Sequence, residues 1–134
     1  MAITRREVLA GSAALAAWPL LGGTALAAAD ATPESSMPEG GILLVAELTA
    51  KEGKEEEMKK VLVAMVAPTR KEEGCLCYNL HQSKKNPAQF MFYEQWAGKE
   101  ALNKHGQSPH MKKMQAGLKG LVDKGGVTFY DLLG

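Results

Sequence analysis

The stretch GCLCYNLHQSKKNPAQFMFYEQW, residues 74–96, decides the fold. Two runs of strand length, Cys75–Ser83 and Gln89–Trp96, carry aromatic and aliphatic side chains. They are separated by Lys-Lys-Asn-Pro-Ala, a composition typical of turns. The stretch therefore predicts a β-hairpin in the middle of a small domain.

The segments before this hairpin predict a strand and a helix. Gly41–Leu48 is a short apolar run that reads as the first strand. Residues 54–73 then place apolar side chains at helical spacing, namely Met58, Val61, Leu62, Met65 and Val66. Pro68 should kink this helix or end its regular part.

The segments after the hairpin predict a second helical region and a last strand. Residues 97–107 and 109–122 read as one helix in two pieces, broken at Ser108-Pro109. Gly125-Gly126 precedes VTFYDLL, residues 127–133, which reads as a strand. The order β-α-β-β-α-β predicts an α+β domain over residues 41–134, with the ferredoxin-like split βαβ arrangement and helices on one face of an antiparallel sheet.

The first 29 residues carry the marks of a targeting segment. Arg5-Arg6 lies in a sequence that resembles the twin-arginine export motif, and an uncharged Ala-rich run with A-x-A patterns at Ala25–Ala29 follows it. We expect a cleaved signal peptide over residues 1–29, a Pro-containing linker over 30–40 and a periplasmic or secreted protein without a membrane span. Cleavage leaves equal numbers of basic and acidic side chains, so charge gives no reason to expect nucleic acid as a partner.

Strict alternation assigns the hairpin side chains to two faces. One face would carry both cysteines, Asn79, His81, Phe90, Phe92, Glu94 and Trp96. The other would carry Leu76, Tyr78, Leu80, Gln82, Met91, Tyr93 and Gln95. Neither face is polar throughout, and the helices cover only one of them. We therefore expect a homodimer in which two sheets pack face to face.

The two cysteines offer no disulfide and no metal site. Residues two apart on a regular strand have Cα atoms ~6.6 Å apart with parallel Cβ vectors, whereas a disulfide needs Cβ atoms ~3.8 Å apart. Cys75 reads as a small packing residue. Cys77 could be a reactive thiol or a metal ligand together with His81, but two thiols and one histidine on one strand fall short of a zinc site.

Several motifs together resemble the antibiotic biosynthesis monooxygenase family, in particular its quinol-monooxygenase-like branch. They are Glu73-Gly74-Cys75-Leu76 with Tyr78 and His81, then Phe92-Tyr93-Glu94-Gln95-Trp96, then Ala101-Leu102, His105 and Ser108-Pro109-His110. The resemblance implies a dimeric α+β barrel with a pocket between each sheet and its own helices. It also implies oxidation of a quinol or related hydroxyaromatic by dioxygen without metal or flavin, so no cofactor is expected.

The resemblance also suggests which residues form the site. His81, Trp96 and His105 match positions that line the pocket in the family, and we expect catalytic roles for them. Asn79, Phe92, Glu94 and His110 are expected to bind substrate. Each has a plainer alternative: a core tryptophan, a histidine at the pocket rim, a histidine that serves the helix start, or a solvated carboxylate.

Two departures from the family pattern limit the prediction. Some polyketide oxygenases of the family carry Asn where this chain has Phe92, which weakens the expectation of their particular reaction. Haem-degrading members carry Asn where this chain has Ala46, so haem degradation by their route is not expected. Two alternative functions stay open: a non-catalytic dimeric binding module for a hydrophobic small molecule or haem, and an isomerase of small carbonyl compounds.

Overall fold

The computed structural model describes residues 37–134. The predicted signal peptide, residues 1–29, and residues 30–36 of the predicted linker lie outside the described residues.

Seven elements make up the described part of the chain: β1 Ile42–Ala50, α1 Glu55–Arg70, β2 Cys75–Gln82, β3 Gln89–Trp96, α2 Lys99–Gln107, α3 Pro109–Gly117 and β4 Val122–Tyr130. The strands form one antiparallel sheet in the order β2-β3-β1-β4. This is the predicted ferredoxin-like α+β fold, with the second helical region split in two.

Helix α1 buries the side chains that the helical spacing selected. Three acidic residues occupy its first turn, where they interact favourably with the helix dipole. Met58, Leu62 and Met65 are buried, and Val61 and Val66 pack against the core. The helix does not stop at Pro68 but continues to Arg70.

The break between α2 and α3 lies where the sequence predicted it. Ser108 has extended backbone angles and caps α3, because its Oγ accepts a hydrogen bond from Met111 N at 3.3 Å. Pro109 occupies the first turn of α3, where the missing N–H costs nothing. The helical region is therefore broken at Ser108, and α2 and α3 do not form one continuous helix.

Strand β4 begins earlier than predicted, at Val122, so Gly125 and Gly126 lie inside the strand. A Cβ atom on Gly125 would lie 3.1 Å from the Glu47 carbonyl oxygen of the neighbouring strand. Glycine here permits a close approach of two backbones, a role that short-range turn chemistry does not reveal.

Strand β2 contains a β-bulge that the alternation pattern missed. Cys75 pairs with Trp96, and Cys77 pairs with the next residue of β3, Gln95, which leaves Leu76 as an extra residue. From Cys77 onwards, each side chain of β2 lies on the face opposite to the predicted one.

The bulge corrects the predicted faces of β2. Tyr78 pairs with Glu94 and is buried against the helices, and Leu80 packs against the same core. Asn79 and His81 pair with Tyr93 and Met91 on the outer face of the sheet. The prediction that Asn79 and His81 share a face with Trp96 is therefore wrong, as is the prediction that Tyr78 and Leu80 belong to the outer face.

One apolar core lies between the inner face of the sheet and the helices. Its largest fully buried side chains include Trp96, Phe92, Met58 and Leu62. Within residues 37–134, none of the helices is long and apolar enough to cross a membrane.

Candidate functional site

A cavity of about 400 Å³ lies between the inner face of the sheet and helices α2 and α3. Its walls are mainly apolar, and among the lining side chains are Leu44, Phe92, Leu102, Met111, Met114, Val127 and Phe129. Val127 and Phe129 on the edge strand β4 are 57% and 63% exposed, so the cavity opens at that edge. Tyr78, Glu94 and His105 are the buried titratable side chains of this wall, and the exposed Glu47 also lines the cavity. Its size and composition are those of a small-molecule site.

Glu94 is a buried carboxyl group on β3 that lines the cavity. Its Oε2 accepts a hydrogen bond of 2.9 Å from Trp96 Nε1. Burial raises the pKa of Glu94, an effect that the Trp96 hydrogen bond partly offsets and the negative charge of Glu72 reinforces. Glu94 can therefore hold a proton more readily than an exposed carboxyl group.

His105 on α2 is buried and fixed by Glu72, which lies in the connection between α1 and β2. His105 Nδ1 is 3.1 Å from both carboxylate oxygens of Glu72. Its ring packs 4.6 Å from the Trp96 ring and 5.5 Å from the Tyr78 ring, measured between centroids. Because a carboxylate oxygen accepts hydrogen bonds, this contact favours the tautomer with the proton on Nδ1 and a lone pair on Nε2.

The protonation of His105 favours the neutral ring. Burial lowers the pKa of His105, and this effect outweighs the opposite influence of Glu72. A neutral imidazole whose Nδ1–H is held by a carboxylate is the arrangement that orients a histidine for accepting a proton at Nε2. His105 thus has the chemistry of a general base at the wall of the cavity.

Tyr78 completes the group of polar side chains around the cavity. It is 2% exposed, and its ring contacts Phe92 with a centroid distance of 4.8 Å. Burial, reinforced by the nearby charge of Glu94, raises the pKa of Tyr78. The Tyr78 phenol therefore stays protonated. It can donate or accept a hydrogen bond, but it does not act as a base.

His110 lies outside the cavity wall, at the start of α3. Its Nε2 contacts Glu72 Oε1, and its ring centroid is 6.0 Å from that of His105. In an unbroken helix, residues five apart lie on different faces. The break at Ser108 brings both histidines to the same carboxylate.

The structure places three of the seven predicted site residues at the cavity: Phe92, Glu94 and His105. Trp96 is fully buried and does not line the cavity, and its indole N–H is engaged by Glu94. In this structure the indole N–H is therefore occupied by Glu94, and Trp96 lies in the core, where it orients that carboxyl group.

Two predicted residues lie on the outer face of the sheet. His81 is exposed there and borders a surface depression of about 600 Å³, together with Met91. Neither His81 nor Met91 lines the inner cavity. Asn79 Oδ1 accepts a hydrogen bond of 2.7 Å from Arg70 Nη2. Neither side chain faces the cavity that holds Glu94 and His105.

Tyr78 and Glu72 are the site residues that the sequence analysis did not assign. Tyr78 had been placed on the outer face, because no glycine or proline within residues 75–77 marks the bulge. Glu72 lies between a helix and a strand, so neither strand alternation nor helical spacing predicts the direction of its side chain. The sequence shows only that Glu72 and Glu73 precede Gly74 at a turn, which does not identify the side chains that Glu72 contacts.

The two cysteines are free and lie on opposite faces of the sheet because of the bulge. Burial, together with the charges of Glu72 and Glu94, raises the pKa of Cys75 to about 11. Cys75 is therefore a protonated packing thiol and not a nucleophile. Cys77 accepts a hydrogen bond of 3.2 Å from Asn79 Nδ2.

Comparison with known proteins identifies the family. The sequence profile described as "Antibiotic biosynthesis monooxygenase" matches residues 41–117, more than half of the chain. A protein of Mycobacterium tuberculosis named "Putative monooxygenase" is 34% identical over 59 residues, which cover 44% of this chain and 57% of that protein. An uncharacterized protein of Synechocystis is 29% identical over 69 residues, 52% of this chain and 47% of that one. The chain thus spans about half the length of these two relatives.

Solved structures share the fold over most of the described domain. The crystal structure of PA3566 from Pseudomonas aeruginosa aligns with a TM-score of 0.69 and 32% identity, covering 75% of this chain and all of that one. The structure of Rv0793 from Mycobacterium tuberculosis aligns with a TM-score of 0.65 and 26% identity, covering 70% and 96% of the two chains.

Proposed function

Because this chain belongs to the antibiotic biosynthesis monooxygenase family, we propose that it is a cofactor-independent monooxygenase that oxidises a quinol or related hydroxyaromatic with dioxygen. One observation carries the proposal: a buried histidine, oriented by a carboxylate, lines a largely apolar cavity of about 400 Å³. Such a cavity accepts an aromatic ring and limits the access of water.

His105 has the role of the base in this proposal. Its Nε2 takes the proton of the substrate hydroxyl group, and Glu72 stabilises the imidazolium that results. The substrate anion is electron-rich, and it transfers one electron to dioxygen. The substrate radical and superoxide then combine to form a peroxide on the ring. The electrons come from the substrate itself, so the step requires no flavin or haem.

Loss of water from the peroxide completes the reaction. A quinol and dioxygen give a hydroxylated quinone and one water molecule, in which the four electrons taken up by dioxygen are supplied by the organic substrate. The leaving oxygen needs a proton, and Glu94, whose pKa is raised by burial, is the donor in the cavity wall. The Tyr78 hydroxyl group can donate a hydrogen bond to the developing oxyanion.

The two alternative functions require different features of the cavity. A binding module needs only the apolar wall, and a carbonyl isomerase needs an acid and a base but no dioxygen. The buried acid, base and apolar wall together favour oxygenation, since they supply proton transfer where a hydroxyaromatic would lie. Consumption of dioxygen separates this function from both alternatives.

The test is oxygen uptake by the purified protein with a panel of reduced naphthoquinones and hydroxynaphthalenes, corrected for autoxidation. We expect the protein to consume one dioxygen molecule for each substrate molecule oxidised. We expect His105→Ala to lower kcat by about 10² to 10⁴-fold. His81→Ala is the matched control, because it removes a histidine from the outer face of the same sheet. No uptake above autoxidation, or equal rates for wild type and His105→Ala, would contradict the proposal.

We also propose that the protein acts as an exported homodimer. Support for export is the twin-arginine-like segment of residues 1–29. Support for a second copy as partner is the apolar surface of the C-terminal part of the chain, where Phe129 is 63% exposed although it lines the cavity. Detection of the processed protein in the periplasmic fraction would test the export.

A further inference from the structure

We propose that Glu72, His105 and His110 bind a divalent transition-metal ion of the zinc type, and that the bound ion changes His105 from a proton acceptor to a donor at the cavity. The second part of this inference rests on the proposed function, whereas the first part does not. Neither part makes the ion a participant in oxygenation.

The three side chains offer a suitable ligand set. Glu72 Oε1, His105 Nδ1 and His110 Nε2 belong to the one group of His, Cys, Asp and Glu ligand atoms within residues 37–134 that could hold a metal ion. These atoms lie within 4.8 Å of one another. Two imidazoles and one carboxylate form a common three-residue set for Zn²⁺, with a fourth position left for water.

The distances are close to those of a coordinated ion. Bonds of ~2.0–2.1 Å in a tetrahedral arrangement put neighbouring ligand atoms about 3.4 Å apart. The separation between His105 Nδ1 and Glu72 Oε1 is already 3.1 Å. The remaining adjustment is a small movement of His110, which is the more exposed of the two histidines.

The surroundings hold the ligands in place yet leave a path for entry. The side chain of His105 is 5% exposed and packs against Trp96, whereas those of Glu72 and His110 are 17% and 22% exposed. Ser108 Oγ donates a hydrogen bond of 2.7 Å to the His105 carbonyl oxygen, which fixes the junction between the two histidine-bearing helices. An ion can therefore approach from the His110 side without opening the core.

Metal binding would reverse the proton arrangement of His105. In the ion-free protein, Glu72 accepts from Nδ1–H, so the Nε2 lone pair is available to a substrate proton. A metal ion binds the Nδ1 lone pair, and a neutral imidazole must then carry its proton on Nε2. The ring would donate where it previously accepted. Zinc would thus inhibit the proposed oxygenation.

The binding test uses the untagged protein, titrated with Co²⁺ as a spectroscopic probe and with Zn²⁺ by calorimetry. We expect one ion per chain and tetrahedral Co²⁺ absorption. His110→Ala should weaken binding by at least about 100-fold, and Glu72→Gln should weaken it too. His81→Ala, which removes a histidine outside the cluster, should bind as the wild type does. Circular dichroism and urea unfolding establish that each variant is folded.

The tautomer test uses ¹⁵N NMR of the histidine rings with and without Zn²⁺. The proton of His105 should move from Nδ1 to Nε2, and Zn²⁺ should slow oxygen uptake by the wild type but not by His110→Ala, each relative to its own metal-free rate. Absence of stoichiometric binding, or full affinity in His110→Ala, would overturn the site. A protein that binds zinc through these residues but never consumes dioxygen would leave the site standing and refute the proposed function instead.

Discussion

Glu94 links burial to a pH dependence of stability. Because burial raises its pKa, the folded protein holds the Glu94 proton more tightly than the unfolded chain does. The contribution of Glu94 to the free energy of unfolding is therefore complete below the pKa of the carboxyl group in the unfolded chain, ~4.3. This contribution is lost as the pH rises from that value through the pKa of Glu94 in the folded protein. Glu94→Gln removes the ionisation and keeps an oxygen that can accept from Trp96. The variant should resist urea better than the wild type at pH 8, and this advantage should shrink towards pH 4.

Urea unfolding at a series of pH values measures this effect. Glu100→Gln serves as the control, because the Glu100 side chain is 86% exposed and pairs only with Lys104 on the surface of α2. A Glu94→Gln variant with the same pH profile as the wild type would show that the buried carboxyl group carries no ionisation penalty.

Trp96 contributes to the site through Glu94 and not through the substrate. Trp96→Phe removes the N–H that donates to Glu94 Oε2 and should cost about 1–3 kcal/mol of unfolding free energy. A double-mutant cycle with Glu94→Ala, which removes the acceptor, should give a coupling energy of about 0.5–3 kcal/mol. Additive changes in the free energy of unfolding would mean that the hydrogen bond is not what holds the pair.

Three of the predicted site residues on β3 and α2, namely Phe92, Glu94 and His105, line the cavity, because β3 is regular and the α2–α3 break is marked by Ser108-Pro109. The sequence could not identify Tyr78 or Glu72. The orientation of Tyr78 depends on one extra residue in β2, and that residue, Leu76, has no local signature. The direction of the Glu72 side chain depends on the packing of three separate elements.

At the scale of elements, Gly74 sets the approach of β2 to α2. It has a φ of +83°, and a Cβ atom added there would lie 2.5 Å from Ala101 Cβ on α2. Gly53 offers a matched control, since its φ is +77° and a Cβ atom there would meet nothing within 4 Å. Each substitution by alanine costs about 1–2 kcal/mol for the left-handed backbone. Gly74→Ala should lose about 1–3 kcal/mol more, from the clash.

Urea unfolding of the two glycine variants isolates the packing contribution. Equal losses of stability would contradict the close contact between Gly74 and α2. If Gly74→Ala loses more stability than Gly53→Ala, we also expect the substitution to displace Glu72, which lies two residues earlier and contacts both His105 and His110.

The order of strands and helices along the chain was predictable because their periodicity is strong and their boundaries carry proline, glycine and serine. The start of β4 was not, because Gly125 and Gly126 resemble a turn locally. Gly125 instead permits a close backbone approach to β1, and this contact is distant in sequence.

At the scale of the whole molecule, the exposed apolar surface is concentrated near the C-terminus. Within residues 37–134, it includes Val127, Phe129, Tyr130, Leu132 and Leu133. A second copy of the chain that covers this surface would bury it, so we expect a dimer by light scattering at micromolar concentration. Tyr130→Asp should weaken dimerisation by at least about tenfold.

The control for dimerisation is Val63→Asp, which places the same charge on an exposed apolar position of α1. An unchanged dimer in Tyr130→Asp, or equal weakening by both variants, would argue against the C-terminal surface as the contact. A monomeric wild type would contradict the predicted homodimer itself.

The central claim is that a hydroxyaromatic binds beneath the helices and not on the outer face of the sheet. Methionine methyl NMR tests it directly, because Met111 and Met114 line the inner cavity whereas Met91 borders the outer depression. On anaerobic titration with a reduced naphthoquinone, we predict that the Met111 and Met114 signals shift while the Met91 signal stays in place. A shift of Met91 alone, or no shift of any of the three, would contradict the account.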